Sequence, residues 1–258
     1  MASRSRERTP QEQDVLDGLD YRYAMPRGPI AMLPVAQLYT RDVPGLRPPA
    51  GADLLQVLWC PFDHDDGPVY AGMPKTVLFW RSAASVTDIL SDPPEPTSVQ
   101  SPDYVPEPCV IDPERIVEYP HQLELETELY NRVQQWIAPP IPGTGQDDFD
   151  DGAGVYRELC IAPGWKVGGG IRWGMQDPYP QPCPACGTPT EPLLTIAYEE
   201  WRTEFPHWIP CELLPGGIID FVDPNWAHPS GVDIRGGYDQ IIRTCPKSPD
   251  HPHVALMQ

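Results

Sequence analysis

Long apolar runs are missing from this chain of 258 residues. The longest uncharged stretches, such as "AMLPVAQLY", fall far short of the roughly 20 apolar residues that a membrane helix requires, so no span is expected. Nor does an apolar segment follow the basic residues of "MASRSRERTPQEQDVLDG". That excludes a secretory signal there and makes a cytoplasmic location the expectation. Positive charge is scarce: 18 Lys+Arg face 37 Asp+Glu, for a formal net charge of −19. Phosphate backbones and anionic membranes attract proteins with Lys/Arg in excess, so nucleic acid and membrane are excluded as partners, while a basic protein is favoured. Catalytic signatures are lacking too. The chain has no G-x-S-x-G and no H-E-x-x-H, and no Ser or Cys has a His/Asp context that sequence alone pairs.

Proline and glycine are plentiful, at 36 and 21, but so are aromatics, with 8 Trp and 11 Tyr. Disordered chains lack such aromatics, which supply large buried areas, so the reading is a folded, loop-rich protein. Short runs rich in Val, Leu and aromatics lie between Pro, Gly and Asp clusters: Ile30 to Tyr39, Leu54 to Cys60 and Thr76 to Arg81. In the second half the runs are 156–162, 192–198, 216–222 and 239–245. All are read as strands. Ser85 to Leu90 reads as a short helix capped by Ser85, and "DPPEPTSVQSPDYVPEP" as an extended loop.

One amphipathic helix is expected from about His121 to Ile137, with Leu125, Leu129, Val133 and Trp136 on its buried stripe. The fold class is therefore α+β: β-rich, with antiparallel or mixed sheets and few helices. Residues 1–14 form a disordered arm, 15–140 an N-terminal half, 141–154 an acidic linker and 155–258 a C-terminal half, the halves packing as one unit. Leu54-Leu55-Gln56-Val57 and Leu193-Leu194-Thr195-Ile196 echo one another, by duplication or by chance.

The strongest chemical signal is Cys183-Pro184-Ala185-Cys186-Gly187. Two Cys separated by two residues put both sulfurs on one side of a tight turn, and the glycine lets the backbone bend there. Cys245, at the end of an expected strand, and His251, in a short Pro-stiffened segment, complete a tetrahedral set for structural zinc, with His253 as the substitute for His251. Unliganded thiols or a redox dithiol are the alternatives. Cys60-Pro61-Phe62-Asp63-His64 has a similar look but no partners, and reads as a half-buried Cys and a turn His. The acidic run Asp147 to Asp151 has the wrong spacing for a calcium loop.

Gly164-Trp165-Lys166-Val167-Gly168-Gly169-Gly170 fits no phosphate-loop spacing, and close backbone approach in a turn is the reading. His121, His207 and His228 stand singly and read as surface or helix-start residues. Trp165, Trp173, Trp201, Trp208 and Trp226 read as core, with a stacking platform as the alternative.

The run "LCIAPGWKVGGGIRWGMQDPYPQPCPACGTPTEPLLTI" resembles the central signature of the YwqG-like family of bacterial proteins of unknown function. "DLLQVLWCPFDH" and "CPKSPDHPHVALMQ" resemble its actinobacterial branch with extra Cys and His. The resemblance implies a soluble cytosolic α and β protein with no catalytic residues to carry over, and Gly170 departs from it where an aromatic is expected. By association with secreted-toxin genes it also implies an immunity or inhibitor role. The functional expectation is a noncatalytic protein-binding module with a structural zinc site. A hydrolase or other small-molecule enzyme with its pocket at the Gly/Trp-rich turn is the alternative.

Overall fold

A central strand draws its core-facing side chains from an apolar run, here Leu55, Val57 and Trp59, while Gln56, Leu58 and Cys60 on its other face are half-buried. Leu54–His64 has such a run and forms β2, flanked antiparallel by β1 (Leu33–Tyr39) and β3 (Met73–Arg81). This computed structural model describes residues 9, 10, 26, 28–64, 72–136, 153–202, 206–214 and 223–258. A second antiparallel sheet runs in the order β4 (Lys166–Val167), β5 (Glu191–Ile196), β6 (Gln240–Thr244), β7 (Val254–Met257). The fold is thus α+β and β-rich, with two antiparallel sheets.

Proline cannot donate to a ladder, and the strands accommodate it at irregularities. The register shifts between Pro34 and Ala36 in β1, between Trp59 and Asp63 around Pro61 in β2, and between Pro192 and Leu194 in β5.

One buried cluster draws on both sheets. Leu38, Leu55, Val57 and Trp59 from the first meet Leu194, Ile196, Ile242 and Met257 from the second, with Val232 and Ile234 from the loop before β6. At about 25 cal/mol per Å² of apolar surface, burying each such side chain contributes roughly 1.5–3 kcal/mol. Polar contacts also join β3 to the C-terminal part: Gln240 Nε2 in β6 donates to the Pro74 carbonyl at 2.7 Å, and Thr76 Oγ1 is hydrogen-bonded at 3.0 Å to Nε2 of His253, just before β7.

The expected strands at Leu54, Thr76, Pro192 and Asp239 are present, as is most of the Ile30 run, and residues 92–108 form an irregular loop apart from a single turn at Pro102–Tyr104. Several expectations change. Residues 156–162 are not a strand: Ala153–Cys160 is a helix, α2. Tyr156, Leu159 and Cys160 stand at the i, i+3, i+4 spacing of a helix, but the continuous apolar run Leu159 to Ala162 reads as a strand. The helix at 121–137 is divided. His121 caps a 3₁₀ turn at Gln122–Glu124, accepting from the Leu123 N–H while Glu124 Oε2 accepts from the His121 N–H, and α1 begins only at Thr127 and runs to Trp136.

Its stripe is not buried, since Leu129 is 43% exposed. Ser85 does not start a helix but ends a 3₁₀ turn, Ala83–Ser85, and Ile89 and Leu90 beyond it lie exposed. Cys60 to His64 form no turn but continue β2. β4 and β7 were not apparent in the sequence. The arm at 1–14 apart from residues 9 and 10, residues 141–152 of the linker expected at 141–154, and the strand expected at 216–222 lie outside the described residues, while the last two linker residues, Ala153 and Gly154, begin α2.

Candidate metal centre

The first half of the centre is a hairpin. The Cys183 amide donates to the Thr188 carbonyl at 2.8 Å, the Gly187 amide to the Cys183 carbonyl at 2.9 Å, and the Thr190 amide to the Gln181 carbonyl at 2.9 Å. Gly187 has φ of 69°, which a side chain rarely adopts and which turns the chain back after Cys186. The hairpin leads straight into β5, whose first residue pairs with the last of β6 (Glu191 with Thr244). That register sets Cys245, the next residue after β6, beside the hairpin. The short β6–β7 connection then returns His251 to the same point. Arg243 braces the junction: its Nε donates to Thr190 Oγ1 at 3.0 Å and its Nη2 donates to the Thr190 carbonyl.

The four ligand atoms of Cys183, Cys186, Cys245 and His251 all lie within 4.8 Å of one another. Cys186 Sγ is 3.6 Å from Cys245 Sγ, and His251 Nδ1 is 3.3 Å from Cys245 Sγ and 3.5 Å from Cys183 Sγ. Tetrahedral bonds of about 2.3 Å to sulfur and 2.0–2.1 Å to nitrogen give edges of roughly 3.6–3.8 Å. These three spacings fall at or slightly below that range and the remaining ones lie within 4.8 Å, so the cluster could hold one metal ion. Cys183 and Cys245 are buried, at 2% and 5% exposure, His251 is half-buried and Cys186 is exposed. The Thr188 hydroxyl and amide stabilise the Cys186 thiolate and hold its pKa down to about 6, whereas desolvation raises that of Cys245.

His253, two residues beyond His251, points elsewhere. It is bound to Thr76, and burial lowers its pKa. Of the two histidines, His251 is therefore the one placed in the candidate cluster.

The Gly-rich turn holds carboxylates of the chain itself. Glu118 Oε2 accepts from the Gly170 amide at 2.6 Å, and Glu118 Oε1 accepts from the Ala162 amide at 3.0 Å and from Lys166 Nζ at 2.7 Å. Burial lowers the pKa of Lys166, and the Glu118 carboxylate opposes that shift. Glu200 Oε2 takes the Trp165 amide at 3.2 Å, and its pKa is pushed up to about 7 by burial. Beside this turn is a small cleft lined by Gly164, Lys166, Arg172, Asp239 and Gln258 among others. Its two cations are paired, Lys166 with Glu118 and Arg172 with Glu158 at 2.9 Å.

Glu118, Glu158 and Glu200 carried no signal in the sequence, being three carboxylates among 37. The tryptophans are mostly interior: Trp173 and Trp201 are buried, and Trp165 and Trp208 donate to the carbonyls of Ala197 and Glu158. Trp226 is exposed. His121 is buried rather than superficial, and His228 Nδ1 lies 3.0 Å from the Tyr198 carbonyl. Asp63 accepts from Tyr104 and Gln100, and Cys60, Asp63 and His64 belong to no metal-binding group among the described residues.

No family model, curated protein or solved structure matches this chain. No helix among the described residues is long and apolar enough to cross a membrane.

Proposed function

We propose that the chain is a noncatalytic binding protein whose C-terminal sheet is stapled by one structural zinc ion, and whose acidic surface engages a basic protein. One observation carries the zinc: three sulfurs and one imidazole nitrogen within 4.8 Å of one another. Soft thiolates with one imidazole in tetrahedral spacing suit zinc, and four protein ligands leave no open position for water or substrate, which makes the site structural. Pairing of the cleft's cations with Glu118 and Glu158 weighs against an enzyme there.

The net charge of −19 supports the basic partner, because a field of that size raises the on-rate of a cationic protein. The resemblance to the YwqG-like family extends this to an inhibitor or immunity role in the cytoplasm. Elemental analysis of protein purified without chelator tests the centre. One zinc per chain, lost in Cys183→Ser, is expected, and metal-free protein overturns the reading. For the partner, affinity capture from native cytosol followed by a salt titration should give an on-rate that falls steeply toward physiological salt. A flat on-rate removes the acidic surface from recognition.

A further inference from the structure

Besides holding a metal, the four ligands differ in their access to solvent. Cys186 lies at the tip of the hairpin and is exposed, while Cys183 and Cys245 are buried. The Cys186 sulfur is 3.6 Å from that of Cys245, which belongs to the other side of the staple. A cystine needs S–S of about 2.05 Å, so closing the pair asks for an approach of roughly 1.5 Å between two residues that both lie outside the strands. Cys109 and Cys211 are also exposed but stand outside any metal-binding group among the described residues, and Cys160 is buried.

We propose that Cys186 is a site of oxidation by hydroperoxides, with Cys245 as its resolving partner, and that forming the Cys186–Cys245 disulfide releases the metal. This rests on the metal reading above. A metal-bound Cys186 thiolate attacks one peroxide oxygen. The O–O bond breaks, the sulfur becomes a sulfenic acid, and the departing hydroxide (alkoxide from an organic hydroperoxide) takes a proton to become water (or the alcohol). The Cys245 thiolate then attacks that sulfur, the S–S bond forms, the S–O bond breaks, and a second hydroxide leaves as water on taking another proton. Two electrons pass in all from the two sulfurs to the peroxide. The metal loses two of its four ligands and departs.

The disulfide keeps the hairpin joined to the end of β6, so the sheet stays closed. What is set free is the connection carrying His251, which the metal had held at both ends. Lys247 is exposed in that connection and becomes a trypsin site.

The test starts from full-length protein with its metal content measured. Hydrogen peroxide is added stepwise, with a chromogenic chelator reporting free metal and mass spectrometry mapping disulfides. The expected result is one metal ion released per chain in step with the Cys186–Cys245 cystine, faster tryptic cleavage after Lys247, and reversal by dithiothreitol and added metal. A Cys109→Ser/Cys211→Ser double variant should respond as the parent does.

A Cys183–Cys186 cystine, metal retained against peroxide, or a response abolished in the double variant overturns the proposal. Protein lacking metal before peroxide is added fails the metal reading instead. In such protein the appearance of the Cys186–Cys245 cystine supports the thiol pairing, and its absence overturns it.

Discussion

His251 and His253 are two positions apart and have different partners, and substitution separates their roles. Losing even an outer partner of a metal ligand typically costs about 10–100-fold in affinity. His251→Ala, which removes a ligand, should weaken metal binding by more than that in a competition titration with a chelator. His253→Ala should leave metal stoichiometry unchanged and cost about 1 kcal/mol in chemical denaturation, the worth of its bond to Thr76. Glu200 supplies a pH effect. Its folded pKa, near 7, lies above its ordinary value of 4.5, so the folded state holds the proton more tightly. Its contribution to stability is therefore full below about pH 4.5 and fades as pH rises through 7. Glu200→Gln should flatten the stability profile across that window, gaining roughly 1–3 kcal/mol over the parent at pH 8. Equal pH profiles for the two proteins would remove Glu200 from the account.

Among the elements, the turn at Gly168–Gly170 shows how a motif can be visible while its occupant is not. Three glycines in a row announce close backbone approach, but nothing in the sequence marks Glu118, far upstream, as the group that approaches. Gly168 and Gly169 both have positive φ, at 68° and 75°. A Cβ at Gly168 meets nothing within 4 Å, whereas one at Gly169 runs into Glu118 Oε2. Gly168→Ala should cost about 1 kcal/mol and Gly169→Ala roughly 2–3 kcal/mol, compared by urea midpoint.

Helix α1 carries the opposite lesson. Its apolar stripe was legible, but a stripe does not say whether a partner covers it. With Leu129 43% exposed, Leu129→Asp should shift stability by no more than about 0.5 kcal/mol, while Ile242→Asp in the core should unfold the protein. The strands around Leu54 and Leu193 were legible because continuous apolar runs bounded by turn residues have few other uses. "YRELC" was misread because the apolar run Leu159 to Ala162 at its end masks the helical spacing of Tyr156, Leu159 and Cys160.

At the scale of the whole molecule, the candidate metal cluster was legible because C-x-x-C is local and the C-terminal Cys and His are local. Their meeting depends on the pairing of β5 with β6, which no spacing reveals. Chelation of purified protein should lower its thermal midpoint, and added zinc should restore it, since a ligand that binds only the folded chain stabilises by mass action. An unchanged midpoint after complete metal removal would mean that the staple is idle.

The register that sets Glu191 against Thr244 also orders events in time. Before those strands pair, the unfolded chain offers two separate half-sites, Cys183 with Cys186 and Cys245 with His251, and neither alone closes a tetrahedron. The full set exists only after β5 and β6 have docked. On the zinc reading proposed above, metal arrives late, adding little to the rate at which the chain folds and much to the time it stays folded. Stopped-flow refolding should run at nearly the same speed with and without zinc, while unfolding in denaturant slows when the ion is bound.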